Sequence, residues 1–243
     1  MKKEYIGLIL VRSKSRRLPG KCFLRFGKIN LIEHIILRCK FYNIKPIVCT
    51  TTSKADNKLI FYAKKHKVLY FRGSEKNKIK RMVDCCNKFK IQYFHTVDAD
   101  DPFFCGKEII RSINKLTNKG LDIVKPSTLS SKGAAIMGYS IRSDVIKKIN
   151  KKIKRNANTE MIWNFFNLEK KLKIVILNNK KKYSLVRLTL DYYEDYVLLE
   201  IIRVLLGNFA SRAKIDILLK KYDFLKKVNY FRNNDWKNNQ LKN

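Results

Sequence analysis

The residues with the most to offer chemically lie between positions 12 and 21. Arg12-Ser13-Lys14-Ser15-Arg16-Arg17-Leu18-Pro19-Gly20-Lys21 sets five cations in one turn, directly after the apolar run Tyr5 to Val11. Backbone N–H groups in such a turn, with several guanidinium and ammonium groups, can surround a triphosphate; the alternative is a solvated basic loop. It is not a P-loop of the GxxxxGK[ST] kind, because Lys21 follows a lone Gly20 and is succeeded by Cys22. Carboxylates gather at the turn Asp98-Ala99-Asp100-Asp101-Pro102 and again from Asp191 to Asp195. Asp98 and Asp101 read as turn formers, and Glu194 and Asp195 as acids opening a helix. His34 and His95 have no Ser or Cys partner that the sequence identifies, so a structural role is the reading for both. Cys22, Cys39, Cys49, Cys85, Cys86 and Cys105 form no CxxC pair and no metal-ligand spacing, which fits buried, reduced thiols without disulfides or structural zinc.

Strand-length apolar runs alternate with helical periodicity around these residues. Tyr5 to Val11 reads as a strand buried on both faces, Leu31 to Arg38 as a helix, Pro46 to Thr50 as a second strand and Asp56 to His66 as a second helix. Val68 to Phe71, Lys76 to Phe89, Gln92 to Val97 and Ile109 to Leu116 continue the alternation. The pattern predicts an α/β fold, Rossmann-like, with a mostly parallel doubly wound sheet whose ligands lie beyond the carboxyl ends of the strands. A smaller and less regular second half follows: strands at Asp122 to Lys125, Gly138 to Arg142, Leu172 to Leu177 and Leu185 to Leu190, and helices at Ser143 to Asn150, Thr159 to Glu169, Tyr193 to Leu206 and Ala213 to Leu219. Trp163, Phe165 and Phe166 form an aromatic group read as core rather than as a contact with a second copy. With no Pro/Gly/Ser-rich linker and no repeat, residues 1–228 read as a single domain and the polar residues 229–243 as a frayed tail.

The chain has 243 residues, 54 Lys+Arg against 20 Asp+Glu, a formal net charge of +34 and 45% hydrophobic residues. That apolar content excludes a disordered chain and is enough for a sizeable core. No apolar stretch approaches the roughly 18–20 residues of a membrane span, and the N-terminus lacks a signal-peptide core, so a cytoplasmic protein is expected. The lysines are scattered over every segment rather than gathered in one arm, and no nucleic-acid-binding motif accompanies them, so no specific nucleic-acid partner is expected. The positive field raises the local concentration of small anionic substrates, and an anionic membrane surface stays open as a partner.

Leu10-Val11-Arg12 followed by Ser15, then Arg17-Leu18-Pro19-Gly20-Lys21, Gly27 and Leu31-Ile32-Glu33-His34, resembles the opening of the cytidylyltransferases of the spore-coat-polysaccharide, acylneuraminate and CMP-Kdo synthetase group, with the spore-coat branch nearest. The resemblance runs on through Val48 to Thr52 with Asp56, Phe71 to Glu75 with Arg81, Asp100 with Pro102, and Arg187 to Asp191 with Glu194-Asp195, and so covers most of the chain. It implies transfer of CMP from CTP to a sugar acid of nonulosonic or Kdo type, with release of pyrophosphate, for a surface polysaccharide or glycan. Such a reaction needs the triphosphate neutralised and aligned, normally with Mg²⁺ on one or two carboxylates. By resemblance Asp100 and Asp191 are the metal ligands, and Arg12, Ser15, Arg17 and Lys21 contact the triphosphate, Lys21 facing the leaving pyrophosphate. Thr51, with its neighbours Thr50 and Thr52, and Arg72, Ser74 and Arg81 are implied near the cytidine or the acceptor. Gly133 to Ser140 and Asn158 to Trp163 are implied to line the site, and a homodimer is implied with Gly138 to Arg142 and the Trp163 region at its interface.

Two departures stand out. Lys14 occupies a position where related sequences usually have Gly, which would strain the loop if φ there is positive, and Asn57 stands where they carry an acid. Two rival readings follow: a nucleotidyltransferase acting on a phosphonate, polyol phosphate or sugar phosphate, or a basic binding protein on the same scaffold that has lost turnover.

Overall fold

The computed structural model describes residues 4–154, 156–178 and 185–241. Four strands, β1 (Tyr5–Leu10), β4 (Ile44–Thr51), β5 (Leu69–Gly73) and β6 (Tyr93–Asp98), run parallel, and between β1 and β4 lies a small hairpin of β2 (Arg25–Phe26) and β3 (Ile29–Asn30). β7 (Ile123–Lys125), β8 (Ser140–Arg142) and β9 (Ile174–Ile176) complete a seven-stranded sheet in the order β5-β4-β1-β6-β8-β7-β9. β8 is antiparallel to both of its neighbours and β7 is parallel to β9. The mostly parallel α/β sheet is thus as predicted.

Alternation along β1 shows why the sheet is covered on both faces. Ile9 points into one core with Ile32, Ile35 and Ile36 of α1 (Leu31–Phe41), Leu59 of α2 (Asn57–Lys65) and Ile109 and Ile113 of α4 (Gly106–Asn118). Leu8 and Leu10 point into the other, with Ile79 and Met82 of α3 (Lys78–Lys88) and Val145 and Ile146 of α5 (Ser143–Lys151). α1 begins with a reciprocal cap in which the Glu33 N–H donates to Asn30 Oδ1 at 3.1 Å and the Asn30 N–H donates to Glu33 Oε2 at 3.3 Å. A third core gathers Leu188, Leu190 and Leu198 with residues of α6 (Tyr193–Leu206) and α7 (Arg212–Lys221).

Two segments differ from the sequence reading. Leu185 to Leu190 is not a sheet strand: the Leu188 N–H donates to the Gly133 carbonyl at 2.8 Å and the Leu190 N–H to the Asp100 carbonyl at 2.7 Å, so the segment pairs with loops. Thr159 to Glu169 forms only a 3₁₀ helix at Ile162–Leu168. Within the polar end, α8 spans Arg232–Leu241, with Arg232 bonded to Glu194 at 2.8 Å and Asn229 fully buried just before it; residues 242–243 lie outside the described residues. Among the described residues no helix is long and apolar enough to cross a membrane.

Candidate active site

β1 leaves the sheet at Leu10 and β6 at Asp98, side by side, with β4 on the other flank of β1. Chain connections diverge between β1 and β6, and a ligand crevice belongs at that place. A cavity of about 910 Å³ opens there, within the size range of small-molecule sites. Its walls include Arg12, Lys14, Ser15, Arg16, Arg17 and Lys21 from the loop after β1 and Asp98, Asp100, Asp101 and Asp191 from the two acidic segments.

The loop is fixed at both ends. Asp56, 1% exposed, accepts from the Ser13 N–H at 2.8 Å, Ser13 Oγ at 2.6 Å, Thr50 Oγ1 at 2.9 Å and Thr51 Oγ1 at 2.5 Å, tying the loop to the end of β4. Burial would raise the Asp56 carboxyl, but these donors hold it below its ordinary range. At the far end Gly20 takes φ +67°, a left-handed conformation natural to glycine, and the chain turns into a 3₁₀ helix at Lys21–Phe23. Lys14 has no positive φ, so the expected strain is absent; its ammonium lies 3.8 Å from Glu75.

Lys21 is the centre of the arrangement. Its Nζ donates to Asp100 Oδ2 at 2.7 Å, Asp191 Oδ1 at 2.9 Å and the Leu190 carbonyl at 2.9 Å, using all three N–H bonds. Burial alone would lower its pKa, and the two carboxylates overcome that and raise it. Asp191 also accepts from Arg17 Nη2 at 2.5 Å. Burial would push the Asp191 carboxyl up, yet Lys21 and Arg17 hold it down at about 2. The backbone bond from Leu190 to the Asp100 carbonyl sets the two acidic segments side by side. Behind Asp191, Asp195 accepts from the Asp191 N–H at 2.9 Å and the Tyr192 N–H at 3.0 Å, and pairs with the buried Arg187 at 2.8 Å. The expected helix-capping role of Asp195 is therefore seen, whereas Glu194 bonds Arg232.

Two hard-oxygen carboxylates already converge on one cation, so the residues present fit a divalent ion of the Mg²⁺ class with oxygen ligands left for phosphate. Across the cavity Glu160 lies 3.5 Å from Arg12 and 3.8 Å from Lys78, and Lys78 lies 3.8 Å from Asp98. Lys78 chiefly, against burial and with help from Arg12, keeps the Glu160 carboxyl below its ordinary range. The Asp98 and Asp101 carboxyls are pushed up by burial, with Asp100 adding to both. Tyr139 and Trp163 stack with ring centroids 6.4 Å apart and line the same space.

The sequence model of the cytidylyltransferase family matches residues 6–234. The chain belongs to the cytidylyltransferase family. It is accordingly a nucleotidyltransferase. Its fold overlays that of a cytidylyltransferase from Leptospira borgpetersenii serovar Hardjo-bovis with a TM-score of 0.81 at 25% identity, over 92% of this chain and 97% of that one. It is also similar to a CMP:2-keto-3-deoxy-manno-octonic acid synthetase complexed with CTP, with a TM-score of 0.65 at 11% identity over 84% and 99% of the two chains. A third neighbour is the manganese complex of Rv0371c from Mycobacterium tuberculosis H37Rv, with a TM-score of 0.57 at 11% identity over 82% and 99%.

Within this cytidylyltransferase the structure brings together Arg12, Ser15, Arg17, Lys21, Asp100 and Asp191 on one cavity. Thr51, Arg72, Ser74 and Arg81 do not line it. Thr51 bonds Asp56; Arg72 donates to the Thr51 and Ser53 carbonyls at 2.9 and 2.7 Å; Ser74 accepts from the Asn77 N–H; and Arg81, buried, donates to the Ser74 carbonyl. They hold the ends of β4 and β5 together. Trp163, read as core, is 40% exposed on the cavity wall, while Phe166 is the core residue of that group. Gly138 to Ser140 faces the cavity or the sheet interior: β8 is paired on both edges, and a Cβ at Gly138 would sit 2.4 Å from the Thr96 carbonyl oxygen. Sequence reasoning missed Lys78, Lys125, Ser130, Ser131 and Trp236, which also line the cavity. The Asn77 cap, whose Oδ1 accepts from the Lys80 N–H at 2.8 Å, marks where α3 starts but not what Lys78 faces.

His34 and His95 are structural. His34 is fully buried, Nε2 donates to the Pro102 carbonyl at 2.8 Å, and burial drives its pKa to about 3. His95 accepts on Nε2 from the Gly138 N–H at 3.1 Å, donates from Nδ1 to Ser140 Oγ at 2.8 Å, and is pushed by burial to about 3 as well. All six cysteines are buried free thiols.

Proposed function

We propose that this enzyme transfers CMP from CTP to a sugar acid of nonulosonic or Kdo type with release of pyrophosphate, in the cytoplasm, as a step in making a surface polysaccharide or glycan. The observation that carries the reading is the Lys21 ammonium held between Asp100 and Asp191 at the mouth of an arginine-rich loop. That array suits a polyphosphate with its cation: Arg12 and Arg17 offer planar donor forks to phosphate oxygens, and Lys21 is placed to offset charge developing on the leaving pyrophosphate. Asp100 and Asp191 would hold Mg²⁺, which when bound neutralises triphosphate charge and orients the α-phosphorus for in-line attack. The acceptor hydroxyl oxygen forms a bond to that phosphorus and gives up its proton to solvent as the bond from phosphorus to the pyrophosphate oxygen breaks. Glu160 keeps Arg12 paired across the cavity, and the stacked Tyr139 and Trp163 give the site an apolar wall for a ring. An acid acceptor suits the surplus of cations around the cavity. The reading includes a homodimer, which light scattering of the free enzyme tests.

The deciding experiment is pyrophosphate release from each of the four nucleoside triphosphates with Mg²⁺, against Kdo, neuraminic, legionaminic and pseudaminic acids, simple sugar phosphates and aminoethylphosphonate. Release with CTP and one acid supports the proposal. Release with a phosphate or phosphonate alone, or with another nucleotide, overturns it.

A further inference from the structure

The last third of the chain carries an outward face that the active site does not use. Among the described residues, nine of the sixteen exposed large hydrophobic side chains lie at or after Tyr193. α7 buries Ile215, Leu218 and Leu219 and turns Ile217 outward, 68% exposed. Helical spacing sets Lys214 and Lys221, both exposed, on the same face as Ile217. The chain continues into a 3₁₀ helix at Asp223–Val228, where buried Leu225 fixes the orientation and leaves Phe224 63% exposed. Phe224 and the exposed Lys227 are three residues apart, the spacing at which side chains of a 3₁₀ helix eclipse. Tyr222 lies with its ring centroid 6.2 Å from that of Phe224, and Tyr230 and Phe231 follow, both about half exposed. The acids of the stretch are already engaged: Asp216 bonds Arg212 and Asp223 pairs with Lys226 at 2.6 Å. What faces outward is therefore protruding aromatic and aliphatic groups interleaved with lysines.

We propose that this face docks the protein on an anionic lipid bilayer, with Ile217, Phe224 and Phe231 at the boundary of headgroups and acyl chains and the surrounding lysines on lipid phosphates. The charge favours this occupant over a second copy, because two such faces would bring lysine against lysine on chains that each carry +34. Side chains that protrude into a soft apolar phase while cationic stems lie along its polar rim also suit a bilayer, since lysine extends its ammonium toward headgroups. The proposal stands independently of the acceptor and the nucleotide, for none of these residues lines the cavity.

The test is co-sedimentation of the full chain with vesicles of phosphatidylcholine, with and without phosphatidylglycerol. The wild-type protein is expected to pellet with the anionic vesicles and to stay in solution with the neutral ones. Ile217→Ser with Phe224→Ser should lower the partition coefficient about tenfold, and Lys214→Gln, Lys221→Gln and Lys227→Gln together should do likewise, with the far-UV circular dichroism of both variants unchanged. Equal binding to both vesicles, binding to neither, or a loss confined to the lysine variant overturns the proposal. So does a dimer in light scattering, or binding of single-stranded RNA, that disappears in the Ser variant while anionic vesicles leave the wild type in solution.

Discussion

Lys21 is the residue on which the most can be tested. Its three donors are satisfied by Asp100, Asp191 and the Leu190 carbonyl, and an ammonium so held is already oriented where leaving-group charge would form. Lys21→Ala is expected to lower kcat by about 10²–10³-fold with a smaller change in the KM for CTP; steady-state kinetics that show a pure KM effect would make it a binding group only. Asp100→Asn and Asp191→Asn should each abolish Mg²⁺-dependent turnover while circular dichroism stays native, and normal activity in either removes the metal assignment. His34 and His95 link residue chemistry to stability. Both are neutral when folded, with values near 3 set by burial, against about 6.5 unfolded. The unfolded chain therefore binds more protons between those values, so their contribution is complete above about pH 6.5 and is lost as pH falls toward 3. Each adds a slope of about 1.4 kcal/mol per pH unit in that window. His34→Gln, read by urea unfolding from pH 6 to pH 4 (roughly the middle of the window), should flatten the slope by about one proton relative to wild type, and an unchanged slope would refute the neutral-histidine account.

At the scale of elements, the loop after β1 works because something outside it holds it. Asp56 sits at the start of α2, yet its carboxylate accepts from Ser13 in the loop and from Thr50 and Thr51 at the end of β4. Removing it leaves several buried donors without an acceptor. Asp56→Ala is expected to cost about 2–4 kcal/mol in urea unfolding and to lower kcat/KM for CTP by about tenfold or more through a slack loop; wild-type stability would show that the loop holds itself. Polar residues at the neighbouring strand ends have protein partners too. Thr51, Arg72, Ser74 and Arg81 have the composition of a ligand-binding rim, but their hydrogen bonds go to backbone groups and to the side chains of Asp56 and Asn57, and a threonine or arginine looks the same in sequence whether its partner is protein or substrate.

Across the whole molecule, the C-terminal end reaches back to the active site. Asn229 Nδ2 donates to Asp195 Oδ1 at 2.9 Å and to the Arg187 carbonyl at 3.0 Å. Arg187 and Asp195 in turn support Asp191, and Trp236 of α8 lines the cavity. Truncation after Val228, harmless if the end were a frayed tail, should instead lower stability by about 2–4 kcal/mol and reduce turnover, measured by thermal unfolding and pyrophosphate release of the shortened chain. Retention of both would detach α8 from the site.

Sequence alone determined the α/β class and the strand-to-loop position of Arg12 to Lys21, and resemblance to a known family singled out Asp100 and Asp191. The first two are written locally, as apolar runs of strand length that alternate with helical periodicity. The tertiary structure decided what those residues face. That Lys21 bridges Asp100 and Asp191, that Lys78 and Trp236 belong to the cavity, that Trp163 is wall rather than core, and that Leu185 to Leu190 pairs with loops all depend on contacts between segments distant in the chain. Side-chain partners across such distances are chosen by packing and by the need of every buried polar group for a partner, and no local periodicity encodes that choice.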